Sequence, residues 1–253
     1  MREPGAVLES IPGFAGARVI EQLSDGPTNN SFLVARDDRK YVLRLDKPEA
    51  ARLGLDRHSE KEVIEVVAEA GLGQEPVYLD VSAGVYLRPF IPGRTWTKED
   101  LEQAGNLERL AGLLRSLHAL SPAGRIFEPL AAAARYAGQV GTAQANRAYA
   151  AAADACSRIE PFTPALCHND LVCHNVLEGQ GLTLIDWEYA GVGDPFFDLA
   201  VVVEHHGLED GLARGFLAAY LGGETQGEHW PRLEKQRRFY RLLLVLWNMR
   251  VTL

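Results

Sequence analysis

The densest group of chemistry-bearing side chains lies between Cys167 and Glu188, in CHNDLVCHNVLEGQGLTLIDWE. His168, Asp170, Asn175 and Asp186 fall at intervals that can bring them together. A turn at 179–181 makes two antiparallel strands of 175–186 and sets position 175 opposite about position 185, where opposed residues lie ~5 Å apart. Asn175 and Asp186 then converge as an amide oxygen and a carboxylate. These are hard ligands suited to Mg²⁺, which takes few protein groups and completes its shell with phosphate oxygens and water. Asp170 stands in the loop before the first strand, where a carboxylate can orient and deprotonate a hydroxyl attacking a phosphoryl group. A lone Asp or Asn would more simply cap local backbone, but four polar groups with apolar residues between them read as a site. The same window spells Cys167-His168 and Cys173-His174, four soft ligands in eight residues. Zinc sites usually separate two ligand pairs by a longer span, and zinc gives no reason for the hairpin.

The chain that must position these groups has 253 residues, 47% hydrophobic and 24% charged, ordinary globular values. Aspartate and glutamate number 34 against 26 lysine plus arginine, a net charge of −8. That balance argues against a dedicated nucleic-acid binder, which needs a basic face to displace counterions, and it favours a cationic ligand. No stretch approaches the ~18 apolar residues of a membrane span. MREPGAVLESIPG lacks the charged-then-apolar pattern of a signal peptide. Three cysteines are too few for a disulfide scaffold. A cytoplasmic protein is expected, without nucleic-acid or membrane partners. Only five of the basic residues are lysines: Lys40, Lys47, Lys61, Lys98 and Lys235.

Residues 17–24, 31–36 and 40–45 read as short strands, 58–70 as a helix ended by Gly71, and 76–81 and 84–88 as two more strands. RPFIPGRTW then marks a connector. Beyond it, 99–120 carries an amphipathic leucine stripe ended by Ser121-Pro122. The alanine-rich 129–159 reads as one or two helices, broken near Gly138 or Gly141. Helices are also expected at 196–206, 209–221 and 232–250. The reading is α+β: a small antiparallel-sheet lobe with one helix (1–88), a hinge (89–95) and a larger, mostly helical lobe (96–253).

His168-Asn-Asp170-(four residues)-Asn175, with Ile185-Asp186-Trp187-Glu188-Tyr189 and Asp194-Pro-Phe-Phe-Asp198, resembles the aminoglycoside phosphotransferase and choline kinase family, small-molecule relatives of protein kinases. The resemblance implies a bilobal protein-kinase-like fold, ATP and Mg²⁺ as cofactors, Asp170 as catalytic base, and Asn175 and Asp186 as metal ligands. It makes His168 a brace for the loop and Asp198 its structural tie. Leu23-Ser-Asp-Gly26-Pro-Thr28-Asn29-Asn30 is similar to the family's phosphate-covering loop, with Gly26 allowing close approach and Thr28, Asn29 or Asn30 offering donors. Arg44, in Val-Leu-Arg-Leu, stands where protein kinases keep a phosphate-binding lysine, as in choline-kinase-like members. Glu60 is its expected partner, with Glu62 the alternative. Pro89 and Pro92 lack N–H groups, so Phe90 and Ile91 are the expected adenine donors of the hinge. His118 reads as structural.

The acceptor is expected to be a small, cationic, hydroxyl-bearing molecule, by resemblance to choline and thiamine kinases. A quaternary ammonium is held by aromatic rings and carboxylates. Trp187, Glu188, Tyr189 and Trp247 are the candidates, with Trp230, Tyr240 and Glu204 nearby in sequence. Choline kinases usually carry a second tryptophan three residues before the last, and position 244 is Leu. An aminoglycoside phosphotransferase is the alternative, although such enzymes often have an acidic C-terminal segment and this one is basic. A nucleotide-binding pseudokinase scaffold is the alternative of another class; it would lack a base or metal ligand, and none is missing.

Overall fold

A computed structural model describes residues 2–223 and 227–252. The chain divides into two compact units, Met1–Pro92 and Gly93–Leu253. The class is α+β, with an antiparallel sheet in the first unit and mostly helices in the second.

The first unit runs α1 (Pro4–Ser10), β1 (Arg18–Asp25), β2 (Asn29–Arg36), β3 (Arg39–Asp46), α2 (Glu49–Arg52), α3 (Arg57–Glu69), β4 (Tyr78–Asp80) and β5 (Val85–Pro89). The strands form one sheet in the order β1-β2-β3-β5-β4. The period-2 rule sorts its faces. Phe32, Val34, Leu43, Leu45, Val85 and Leu87 pack with Leu8, Ile11 and Phe14 in one core, each large side chain stabilising by ~1.5–3 kcal/mol on full burial. Arg44 alternates with Leu43 and Leu45, so it projects from the other face, opposite Tyr86. The helix expected at 58–70 is α3, capped by the Asp56 carboxylate on the amides of His58 and Ser59. Beyond the one helix expected in this unit, α1 and α2 are two further short helices. α1 starts with Pro4 behind a Glu3 side-chain cap, and its seven residues are too few to show a period.

The second unit runs β6 (Arg94–Thr95), α4 (Lys98–Leu101), α5 (Asn106–His118), α6 (Pro129–Val140), α7 (Ala143–Cys156), β7 (Ala165–Cys167), β8 (Val176–Glu178), β9 (Leu182–Leu184), β10 (Gly191–Gly193), α8 (Pro195–His205), α9 (Asp210–Leu221) and α10 (His229–Val251). The single helix expected over 99–120 is two. Gly105 at φ +82 breaks the stripe, and Thr97 and Asp100 close a capping box on the short first piece. The alanine-rich segment breaks at Gly141, φ +67, where Thr142 caps the next helix. The hairpin β8–β9 has the expected register, Val176↔Leu184 to Glu178↔Leu182. It gains an unexpected third strand, β6. Gly93 makes that approach feasible: a Cβ there would lie 2.3 Å from the Glu178 carbonyl oxygen. The Trp96 amide donates to Val176 O at 2.8 Å and its indole to Glu178 at 2.9 Å. No helix among the described residues is long and apolar enough to cross a membrane.

Candidate active site

Strands β7 and β10 pair over three residues and fix the start of the loop that carries the chemistry. Asp198, in the first turn of α8 and fully buried, holds that loop. Its Oδ2 accepts from the His168 amide at 2.8 Å and its Oδ1 from the Asn169 amide at 2.6 Å. His118 Nε2 also donates to Oδ2 at 3.0 Å, and its Nδ1 faces the Tyr220 hydroxyl at 2.8 Å. A carboxylate only accepts, so the Nε2 tautomer follows. Asn169 adopts φ +65 and donates from its side chain to Tyr189 O at 3.0 Å. His168 Nε2 lies 3.0 Å from Ile185 O and donates to it. Burial lowers its pKa, so the ring is neutral. The loop is tied to α8, α5 and the end of β9.

Asp170 follows at once. The Asn175 amide nitrogen donates to its carbonyl at 2.9 Å and to its Oδ2 at 3.1 Å. Burial first, then the charge of Glu188, pushes the Asp170 pKa up to about 7. The hydrogen bond from Asn175 opposes this, and Asp198 adds to it. A carboxylate poised near neutrality suits a general base. With its nitrogen committed, Asn175 is left to present its amide oxygen. The Ile185 amide donates to Asn175 O at 3.0 Å, so Asp186 comes one residue past the paired position. Asp186 leaves the strand at φ +68, a left-handed conformation that costs a non-glycine residue of order 1 kcal/mol and clusters at functional sites. One amide oxygen and one carboxylate on adjoining backbone form a donor set that fits Mg²⁺.

The expected acceptor residues separate. Trp187 packs against His168, centroids 4.8 Å apart, and is buried; it braces the loop and does not join Trp247. Trp230 lies under Arg214, whose Cζ is 3.8 Å from the ring centroid. The Tyr240 hydroxyl lies 2.9 Å from His205 Nδ1. Glu204 is held by Arg241 at 2.6 Å and by Arg237 at 3.3 Å. Tyr189 and Trp247 do meet, at 6.2 Å and 89°. Tyr136 completes the group 5.6 Å from Trp247. Burial raises the Tyr189 pKa well above its ordinary value, helped by Tyr136, Glu188, Asp170 and Asp186. Three aromatic rings thus stand beside three carboxylates. Tyr136 has no signal in sequence: it is one aromatic in an alanine-rich helix.

In the first unit, Arg44 and Glu60 form a bidentate pair at 2.5 and 2.8 Å, 8% and 2% exposed. Glu62 is exposed. Arg57 also donates to Glu60, at 2.8 Å, and to Asp46, at 2.8 Å. Asp46 lies 3.5 Å from Arg44 Nε. Two cations and two anions thus pair with one another. Burial alone would raise the Glu60 pKa, but Arg44 and then Arg57 hold it below the ordinary value. Sequence reasoning missed Arg57 and Asp46. The Arg44 guanidinium also stacks 5.1 Å from the Tyr86 centroid. The turn 25–30 closes with Gly26 N donating to Asn29 O at 3.1 Å and Lys47 N to Thr28 O at 2.8 Å. Thr28, Asn29 and Asn30 are buried. A Cβ on Gly26 would lie 3.5 Å from Asn29 O, ordinary contact, so the chain's own packing does not demand a glycine there. The Phe90 amide donates to Lys40 O at 3.0 Å; it is spent on extending the sheet and is corrected out of the adenine donors, leaving Ile91.

The Cys-His pattern does not converge, because His168 is committed to Ile185 and His174 is exposed. Cys167 and Cys173 are buried. Burial, then Asp198 and Asp194, raises the Cys167 thiol. Burial, then Asp100 and Glu99, pushes Cys173 up to about 11.

Residues 19–235 match the model of the phosphotransferase enzyme family. Protein LicA of Haemophilus influenzae is 30% identical over 247 residues, covering 88% of this chain and 70% of that one. The crystal structure of a choline/ethanolamine kinase family protein from Mesorhizobium loti is 25% identical, with a TM-score of 0.77 over 96% of this chain and 83% of that one. LicA in complex with AMP shares the fold at 21% identity, TM-score 0.81, over 98% and 89%. With the family model spanning most of its length, this chain belongs to the phosphotransferase enzyme family and is an enzyme of that kind.

Proposed function

We propose that the chain transfers the γ-phosphoryl group of ATP, with Mg²⁺, to the hydroxyl of a small cationic amino alcohol, choline being the model acceptor, in a cytoplasmic setting. The observation that carries the reading is Asp170. It is a partly accessible carboxylate with its pKa near 7, held by Asn175 on a loop tied to buried Asp198.

In this reading Asp170 orients the acceptor hydroxyl and takes its proton. Glu188, Tyr189, Tyr136 and Trp247 hold the ammonium, replacing its hydration with ring faces and negative charge. Asn175 through its amide oxygen and Asp186 through its carboxylate would hold Mg²⁺, which supplies charge neutralisation at the phosphates. Glu60 fixes the plane of the Arg44 guanidinium for phosphate oxygens. Gly26 lets a phosphate approach the 26–30 backbone, with Thr28, Asn29 and Asn30 shaping that turn. Ile91 offers the adenine donor in the 89–95 hinge. The AMP complex of LicA supports the nucleotide, and the choline/ethanolamine kinase relative supports the acceptor class. Rate enhancement comes from positioning and electrostatics, as usual for phosphoryl transfer.

The test is Asp170→Asn, assayed with radiolabelled ATP against choline, ethanolamine, thiamine, homoserine, amino sugars and aminoglycosides. Transfer should fall by ~10²–10⁴ with nucleotide affinity kept. Parental transfer in the variant refutes the base assignment. Mg-ATP binding without product from any acceptor points to a nucleotide-binding scaffold, and product only from aminoglycosides overturns the acceptor class.

A further inference from the structure

The aromatic group beside Asp170 carries a cation as well as carboxylates. Arg135 directly precedes Tyr136 on α6 and is half-buried. Its Cζ lies 5.9 Å from the Tyr136 ring centroid, and that ring meets Trp247 at 5.6 Å. The guanidinium reaches the hydroxyl end of Tyr136. Burial raises the Tyr136 pKa, and the charge and hydrogen-bonding contact of Arg135 oppose the rise. The Tyr189 hydroxyl acts on the same group, and the charge of Asp170 is felt there too.

This charge lacks an anion. Other arginines of the C-terminal unit that are drawn partly out of water are paired, Arg232 with Asp194 at 2.6 Å and Arg237 with Glu204 at 3.3 Å. Among the described residues Arg135 makes no ion pair with a carboxylate. Its Nε is buried and closed off, which leaves Nη1 and Nη2, the fork with which a guanidinium grips a carboxylate through two parallel bonds. Withdrawing a cation from water without an anion is costly. A bare quaternary ammonium on Trp247 and Tyr189 would not relieve that cost, because it brings a second like charge. With Asp170 committed to the hydroxyl and Asp186 to Mg²⁺, Glu188 is left for an ammonium and Arg135 for an anionic group of the same molecule.

Resting on Asp170 as the base and on this aromatic group as the acceptor site, we propose that the acceptor is a zwitterion: a small hydroxylated ammonium compound that also carries a carboxylate, which Arg135 binds. Its hydroxyl lies at Asp170, its ammonium at Glu188, Tyr189 and Trp247, and its carboxylate at Arg135. In transfer the hydroxyl oxygen bonds to the γ-phosphorus. The bond from that phosphorus to the β,γ-bridging oxygen breaks with its electron pair leaving on ADP, and the hydroxyl proton passes to Asp170. The carboxylate is unchanged.

The probes are choline and its analogue with one N-methyl replaced by carboxymethyl, identical but for the added carboxylate. Carnitine and homoserine join them and place the carboxylate at other distances. With saturating Mg-ATP, at least one zwitterion should exceed choline by about tenfold or more in kcat/KM. Arg135→Gln should raise the KM of that zwitterion by about 10- to 100-fold, the worth of a charge-assisted pair, with kcat falling far less. The same variant should raise kcat/KM for choline, since it removes a like charge. Arg135→Lys keeps the charge without the fork and should fall between the two; it carries the comparison should the glutamine variant not fold. The proposal is overturned if choline outperforms every zwitterion in the parent. It is equally overturned if both variants lower choline and zwitterion turnover to the same extent, which makes Arg135 a structural residue. Transfer to choline alone overturns the zwitterion and leaves the amino-alcohol kinase standing, whereas no transfer to any acceptor overturns both.

Discussion

Replacing Asp198 with Asn tests whether one buried carboxylate sets the geometry of the catalytic loop. Three N–H groups aim at its two oxygens: Asn169 at 2.6 Å on Oδ1, and His168 at 2.8 Å and His118 at 3.0 Å on Oδ2. Asparagine is isosteric but must present its NH₂ to one side. The cheaper placement replaces Oδ1, so that only the Asn169 amide meets a donor. That substitution loses one charge-assisted bond and leaves a buried amide unmade, together about 3 kcal/mol. At about 2–4 °C per kcal/mol for a chain of this size, the melting point should fall by about 6–12 °C. All four tryptophans (Trp96, Trp187, Trp230 and Trp247) lie in the Gly93–Leu253 unit, so intrinsic fluorescence reads the unit that is perturbed. The Asn169 amide also fixes the φ +65 turn directly before Asp170. A displacement of about 1 Å there should lower kcat ~10²-fold with the KM for ATP little changed. A fluorescence melting point within about 2 °C of the parent, together with parental kcat, would refute the assignment.

Asp170→Asn should also gain stability relative to the parent as pH rises. The folded-state pKa of about 7 lies above the ordinary 3.8, so the folded parent binds the extra proton and loses stability between about pH 4 and 7. The ceiling is about 4 kcal/mol at about 1.4 kcal/mol per pH unit, reduced by the partial exposure of the group; urea melts without Mg²⁺ or nucleotide at pH 5 and pH 8 measure it. Glu60→Gln removes the buried carboxylate that pairs with buried Arg44 and with partly buried Arg57 and should destabilise the first unit by about 3–5 kcal/mol, read by hydrogen exchange of the β2 and β3 amides. The contribution of Glu60 to stability is present above its ordinary pKa of 4.5 and is lost as pH falls through its lowered folded value. Trp247→Leu should raise the KM for choline by roughly 2- to 30-fold, the equivalent of about 0.5–2 kcal/mol of cation–π contact, with the KM for ATP unchanged; equal rises in both contradict the acceptor assignment.

The parts of the site that were legible in the sequence are those set by short-range rules. The 175–186 hairpin could be placed because a Gly-Gln-Gly turn fixes register, and register alone brings Asp186 past Asn175. Arg44 and Glu60 could be paired because a strand and the following helix are close in sequence. The rest depends on distant chain. Tyr136 matters only because α10, 111 residues later, sets Trp247 beside it. Strands β7 and β10 are three residues each and 23 residues apart, too short for a period and too far apart for a turn to mark. Trp187 adjoins Asp186 in sequence, yet the left-handed turn at Asp186 sends its ring onto His168. The Phe90 amide is taken because β5 continues to pair with β3.

The thiols of Cys167 and Cys173 flank Asp170, and both stay protonated at neutral pH. Electrophiles and peroxide are attacked by thiolates, so neither sulfur is chemically ready to be oxidised or alkylated. Burial, the largest cause at all three groups, both primes Asp170 to accept a proton and holds these sulfurs protonated, and Asp198 adds to it at Asp170 and Cys167. The same burial that readies the loop for proton transfer thus keeps its two sulfurs in the form that electrophiles attack slowly.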